Sequence, residues 1–449
     1  SDAVHLRELF LGTFECGSGA MRIRLSLPAK SGAVAYVKIR PWRNPLASVV
    51  PPLGDQRRVI LDNDGYSAFC VRMMETPAAM ARYSALYRQT AIRGVVWCIG
   101  NLSEVNYTSG VAPYTFQGVA SLAAPSHARV RNALEAYARS GEDTLDAHLR
   151  IMRDGNLFSL TSLRVQHVPN PAYDKGRSFP FYDTHEQWRI HNRQGQLLKP
   201  LSYANAGVRD RALAIVDEVL ARGPDVFLLE LTRGVPFVGY HPDLLREYRK
   251  RVPGPELSPP KDDRDPHWLA VKNGPMTMLM RAIRNAADRH GKRLGRRIRI
   301  GAHVDNMGFR SEGIDLATWV DEGLVDMLVA GIGHGSDTIT PVVDVAASRR
   351  LPVYGHIHAH FGGKDPTPDE ERARARGIRM PRTGGGVERD YFMAKAFKLY
   401  SQGAAGIYIW DGFFYPAVAD LVGDPDRVAQ WYWLERPTRS FSLNVKTGK

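Results

Sequence analysis

The stretch Asp225-Val-Phe-Leu-Leu-Glu-Leu-Thr-Arg233 constrains this chain more than any other. It is a near-continuous apolar run of a length that suits one strand, and such a strand is buried on both faces. Just before it, Asn205 to Arg222 sets apolar Val208, Leu213, Ile215, Val216, Val219 and Leu220 against polar Arg209, Asp210, Arg211, Asp217 and Glu218. That is an amphipathic helix. A helix leading into a doubly buried strand belongs to a parallel sheet covered by helices. Glu230 inside the strand is costly to bury unless it is paired or faces a polar cleft.

The same unit recurs along the chain. The pattern predicts strands over Arg58–Asn63, Gly94–Ile99, Phe158–Gln166, Asp225–Thr232, Arg297–Val304, Val325–Ile332, Pro352–His358 and Ala405–Trp410. It predicts helices over Thr76–Tyr87, Ser126–Ser140, Asp143–Arg153, Met276–His290, Asp315–Glu322 and Glu388–Gln402, with Thr76 as an N-cap and Pro77 at the first helical position. Long connections follow the third and fourth strands. Eight strands alternating with helices make an α/β chain of the (β/α)8 TIM-barrel class with long βα loops, spanning residues 55–430. An open doubly wound sheet is the rival, but no strand runs into a Gly-x-Gly-x-x-Gly turn. The Gly384-Gly385-Gly386 run stands well past the seventh strand.

Residues 1–50 read as a small β segment, with short runs at Phe10–Phe14, Met21–Leu27 and Ala33–Ile39, closed by Pro45, Pro51 and Pro52. In the tail, residues 431–449, Phe441 and Leu443 alternate with Ser, which suits pairing with that segment on the barrel.

Among 449 residues, 44% are hydrophobic and 24% charged, ordinary values for a soluble globular protein. No apolar run reaches the roughly 20 residues of a membrane span, and no signal-peptide pattern is visible. The chain begins at Ser1 rather than Met, and a leader removed before it is compatible with periplasmic or secreted export. Cys16, Cys70 and Cys98 are odd in number and far apart, which argues against a disulfide framework or a structural zinc site. The net charge of +13 suits an anionic partner, yet the basic residues are scattered. The densest group, Arg293, Arg296, Arg297 and Arg299, runs from a helix end into a strand, so a solvated surface is expected and not a nucleic-acid groove.

A barrel's chemistry sits where its strands end. There the sequence places Asp62, Asn63 and Asp64; Asn101 and Glu104; Arg164, Gln166 and His167; Glu230 and Arg233; His303, Asp305 and Asn306; His334 and Asp337; His356, His358 and His360; and Trp410 and Asp411. Carboxylates, a few cations and many aromatic rings suit a polyhydroxylated ring, whose hydroxyls take hydrogen bonds while its C–H faces stack.

The segment Leu201-Ser-Tyr-Ala-Asn-Ala-Gly-Val-Arg209, a helix, and then Asp225–Arg233 resembles the signature of uncharacterised bacterial family-10-like glycosylhydrolase barrels. Gly313–Asp326 and Gln402–Ile409 are similar to that family's later strands. The resemblance covers about residues 55–415 and implies a barrel acting on carbohydrate. Glu230 stands where the family usually has Asp, and Arg164-Val-Gln-His167 replaces its Arg-x-Asn-Asp set.

The reading that follows is a glycosidase acting on an oligo- or polysaccharide, with Glu230 and Asp305 as the carboxyl pair from neighbouring strands. Asn63, Asp62, Arg164, His167, Arg233, His303, His358, Trp410 and Asp411 are assigned to substrate binding. Arg164 and Arg233 suit an anionic group on the sugar; the bland alternative is that one of them forms a salt bridge with Glu230. No cofactor is expected. A second reading places a divalent metal on His356, His358 and His360, alternate residues sharing one strand face, and makes the protein a metal-dependent hydrolase or lyase. A third is a carbohydrate-binding barrel without catalysis.

Overall fold

In a computed structural model of the chain, eight parallel strands close into a barrel whose spatial order is the order of the sequence. The structure describes residues 3–6, 37, 43–71, 74–88, 90–119, 122, 124–166, 179–233, 235–305, 312–331, 338–359, 389–414, 416–435 and 441–444. The barrel strands are β1 Val59–Asn63, β2 Ile92–Cys98, β3 Phe158–Arg164, β4 Val226–Leu231, β5 Arg299–Val304, β6 Met327–Ala330, β7 Val353–His358 and β8 Gly406–Trp410. All eight expected strands are present; β2 begins two residues before its expected run and ends one short of it, and the other seven are shorter than theirs by one to four residues.

Helices alternate with them: α1 Pro77–Ser84, α2 Thr144–Asp154, α3 Ala206–Arg222, α4 Gly274–Leu294, α5 Leu316–Asp321, α6 Thr340–Ala347, α7 Arg389–Tyr400 and α8 Pro416–Val422. Their starts follow from local chemistry. Thr76 Oγ1 accepts from Ala79 N at 3.1 Å, and Asp143 accepts from Leu145 N and Asp146 N. The helix before β4 buries Val208, Ala212, Ile215, Val216, Val219 and Leu220 and ends at Gly223 in the left-handed region, φ 73°.

Side chains alternate across a strand, so the pairing register sorts each residue inward or outward. Ile60, Val96, Leu160, Val226, Leu228, Met327, Val329, Tyr354, Tyr408 and Trp410 fill the interior as one cluster. A larger cluster lies between strands and helices. Each buried aliphatic of the inner layer stabilises the barrel by roughly 1.5–3 kcal/mol. At the amino-terminal end the Phe158 ring closes the interior under two guanidiniums, with Arg93 at 4.6 Å and Arg299 at 5.4 Å from its centroid.

The long connections hold structure that the sequence pattern did not suggest. An antiparallel hairpin pairs Arg189–His191 with Leu197–Leu201, and helices occupy Pro242–Arg249 and Pro266–Lys272. Both helices begin with proline at the first position, where the missing N–H costs nothing. Ala3–Leu6 pairs antiparallel with Phe441–Asn444. The strands expected at Phe10–Phe14, Met21–Leu27 and Ala33–Ile39 lie outside the described residues, Val37 excepted. No helix among the described residues is long and apolar enough to cross a membrane. In the Arg-rich group, Arg296 bonds Asp225, Arg297 bonds Asp326 and Arg293 caps the Ala221 carbonyl.

Candidate active site

At the carboxyl ends of the strands the inner layer turns polar. The register places Arg164, Glu230 and His303 side by side across β3, β4 and β5. Glu230 is 1% exposed, and each of its oxygens accepts from a donor. Ser162 Oγ donates to Oε1 at 2.7 Å, and Arg164 Nε donates to Oε2 at 3.2 Å. The salt bridge expected for Glu230 is therefore made by Arg164 and not by Arg233. Ser162 lies one pleat below Arg164 on the same strand face, which is why both reach one carboxylate.

Asp62, on β1, is fully buried and equipped differently. Tyr408 donates its hydroxyl to Oδ1 at 2.8 Å, while Oδ2 has no hydrogen-bond partner among the described residues. Burial, the Glu230 charge and the Asp411 charge push its carboxyl well above the usual carboxylate range; the Tyr408 hydrogen bond opposes them. Asp62 thus holds its proton where an exposed aspartate would not. Burial likewise pushes the Tyr408 phenol up, with the Glu230 charge acting in the same direction.

His303 is fully buried, and burial lowers its imidazole to about 4 despite the nearby Glu230 charge and the Gly331 hydrogen bond. It is neutral at pH 7. His303 Nε2 and His356 Nδ1 lie 2.9 and 2.6 Å from the Gly331 carbonyl oxygen and 3.0 Å from each other. At least one ring N–H donates to that carbonyl. The His356 ring stacks on Trp410 at 5.6 Å with 5° between planes, and His358 stacks on it at 6.5 Å. The Arg164 guanidinium carbon is 5.8 Å and that of Arg233 4.9 Å from the Trp410 ring centroid. Trp410 is only 3% exposed, so its ring serves these neighbours more than solvent.

Other expected residues stand elsewhere. Asp305 and Asp411 are half-buried at the ends of β5 and β8, and Asp411 takes φ 53°. Asn63 faces away from Asp62, as its odd position requires. Its Nδ2 donates to Met74 Sδ, and its Oδ1 accepts from Gly65 N at 3.0 Å. Asp64 accepts from Tyr66 N and Ser67 N, so Asp62-Asn63-Asp64-Gly65 is a strand-to-helix turn. Gln166 pins the hairpin strand through Leu201 O at 2.7 Å. His167, Asn306, His334, Asp337 and His360 lie outside the described residues. His356 and His358 stack 6.3 Å apart, and no group of three metal-binding side chains occurs among the described residues.

The sequence reading missed Ser162, Cys98 and Tyr408, which the even-numbered face of β2, β3 and β8 points inward with Glu230. Cys98 is buried there, its thiol pushed up to about 12 chiefly by burial. It also missed Glu312, half-buried, with Oε2 lacking a partner among the described residues. Burial, then the Asp305 charge, raises Glu312 to about 7, against the pull of Lys272.

No protein-family model matches the chain, and no curated protein matches it. The resemblance drawn from Leu201–Arg209 and Asp225–Arg233 therefore stays with those motifs. Solved structures with a similar course include three carbohydrate-active proteins. Against chitinase ChiW from Paenibacillus sp. str. FPU-7, identity is 10% and the TM-score 0.42, over 83% of this chain and 32% of that one. A glycoside hydrolase family 18 N-acetylglucosaminidase from Paenibacillus barengoltzii gives 12% and 0.42, over 83% and 99%. A β-galactosidase from Marinomonas ef1 gives 8% and 0.46, over 83% and 61%. The chain spans about a third of the multi-modular chitinase. The barrel assignment rests on the closed sheet itself.

Proposed function

We propose that the protein cleaves glycosidic bonds of an oligo- or polysaccharide at the carboxyl ends of its barrel strands. Glu230 and Asp305, on adjacent strands, form the carboxyl pair. One observation carries this reading: Glu230, 1% exposed, is held by Ser162 at 2.7 Å and Arg164 at 3.2 Å at the carboxyl end of β4, next to the strand that ends just before Asp305. Glycoside hydrolysis needs one group to deliver a proton and another to stabilise or attack the developing oxocarbenium ion. Glu230 and Asp305, at the ends of neighbouring strands, are assigned those two tasks. Asp62 is fully buried, its carboxyl raised by burial and by the Glu230 and Asp411 charges, and Asp305 is half-buried just past the end of β5, two residues beyond His303.

The test is hydrolysis of a broad glycan panel by the wild type, Glu230→Gln and Asp305→Asn. Each variant is expected to lose about three orders of magnitude in kcat or more. If either stays within about tenfold of the wild type, the pair is wrong. If some glycans bind and none is cleaved, the protein is a carbohydrate-binding barrel instead. Full activity after chelation sets aside a divalent metal on His356, His358 and His360.

A further inference from the structure

We infer that the carbohydrate taken by this mouth carries an oxyanion, a carboxylate or a sulfate ester, and that Arg233 recognises it. The inference rests on the carbohydrate reading above and names the class of sugar.

Arg233 stands two residues beyond the end of β4, exposed at the mouth. Its contact among the described residues is the Trp410 ring, 4.9 Å away, and no carboxylate there pairs with it. Arginines elsewhere in this basic chain are commonly tied down, as Arg281 is to Glu322, Arg284 to Asp326 and Asp288, and Arg296 to Asp225. The guanidinium carbon sits over the indole, and the exposed side chain leaves N–H donors for a ligand. That geometry suits a bidentate bond to an oxyanion.

A second guanidinium shares the same indole. Arg164 spends Nε on Glu230, and neither of its terminal nitrogens makes a hydrogen bond among the described residues. Its side chain is 17% exposed. Two cations on one ring repel each other, and the Arg233 charge also opposes a proton on His303. An oxyanion bound by Arg233 offsets that charge. A neutral hydroxyl gains far less, because charge-assisted bonds are about twice as strong as neutral ones. Asp305 and Asp411 stand at the same mouth, so the selectivity arises from the placement of the forks and not from a uniformly positive field.

The experiment is isothermal titration calorimetry of the whole chain with matched pairs of oligosaccharides on gluco-, galacto- and manno-configured backbones. One arm compares uronic-acid oligomers with their methyl esters; the other compares sulfated oligomers with desulfated ones. In at least one pair the anionic member is expected to bind about tenfold tighter or more, with the preference shrinking as salt rises. Arg233→Met is expected to bring that pair within about threefold, the loss falling chiefly on the anionic member. Arg233→Lys, which keeps the charge and loses the fork, falls between the two. The carboxylate and sulfate arms identify which oxyanion is meant. The inference is overturned if no pair shows the preference, if nothing in the panel binds, or if Arg233→Met keeps the preference intact. Hydrolysis of the same panel separates the two claims. An anionic preference without cleavage removes the hydrolase and keeps the anion site; cleavage without that preference does the reverse.

Discussion

The two sides of the barrel interior treat buried acid in opposite ways. On the β3–β4 side, Glu230 is 1% exposed and both its oxygens are met by donors, one of them a guanidinium. On the β1–β8 side, Asp62 is equally buried but receives one phenol on one oxygen. The difference teaches that equal burial can come with unequal numbers of donors. Burial raises the Asp62 carboxyl, with the Glu230 and Asp411 charges adding to it, and the single Tyr408 hydrogen bond opposes them.

The largest way to break this contrast is to remove the satisfied partner. Glu230→Ala leaves Arg164 without its carboxylate in a largely buried place, and breaking such a pair costs about 3–5 kcal/mol. Urea unfolding at pH 7 measures it. Glu230→Gln keeps an acceptor for Ser162 and is expected to cost only about 1–3 kcal/mol. If Glu230→Ala loses less than about 1 kcal/mol, the ion pair is not what holds the β3–β4 side together.

Next comes the neutral histidine between the two sides. His303 titrates near 4 in the fold, against about 6.5 for an unfolded chain. The unfolded state binds the proton first, so stability from this group is complete above about 6.5 and falls as the pH drops toward 4. The full loss is about 3 kcal/mol. His148, also held to about 4 by burial, adds a slope of the same sign. A series of urea midpoints from pH 7 to 4 measures the sum, and His303→Asn is expected to flatten part of it. An unchanged slope would place the charge burden elsewhere.

Asp62 gives the opposite sign. Its folded pKa is raised, so the native state is favoured at low pH, and that advantage drains away as the pH rises from the unfolded value toward the folded one. Asp62→Asn copies the neutral form and still accepts from Tyr408. The variant is therefore expected to match or exceed the wild type at pH 7, and to lose any advantage near pH 3.5. Destabilisation at pH 7 would mean that the Asp62 carboxylate, not the acid, is what the fold holds.

Much of the barrel was legible because parallel strands buried on both faces leave uninterrupted apolar runs, and eight of them recur. The helices at Pro242–Arg249 and Pro266–Lys272 were hidden because proline reads as a breaker until its place at the first helical position is known. The polar residues at strand ends were also legible as a set. Which of them face one another was not, because that depends on register between strands far apart in sequence. Ser162, Cys98 and Tyr408 look like ordinary strand residues until β3, β2 and β8 are aligned with β4. Glu312 and Lys272 come from a loop and a helix whose approach no periodicity announces.

Asn63 is the smallest and cleanest test of that inward and outward sorting. It adjoins Asp62 in sequence, is just as buried, and was assigned to the same substrate-binding set. Alternation turns it toward Met74 and the Gly65 turn, away from the interior. Asn63→Ala removes the acceptor for one backbone N–H and is expected to cost about 1 kcal/mol in thermal or urea unfolding. It should leave kcat/KM on any cleaved glycan within about twofold, because the side chain points at the helical layer. Asp62, one residue earlier, should behave in reverse, with little loss of stability at pH 7 and an altered pH profile of turnover. If Asn63→Ala instead lowers kcat/KM about tenfold at unchanged stability, then Asn63 reaches the substrate and the sorting by strand face fails at the first strand of the barrel.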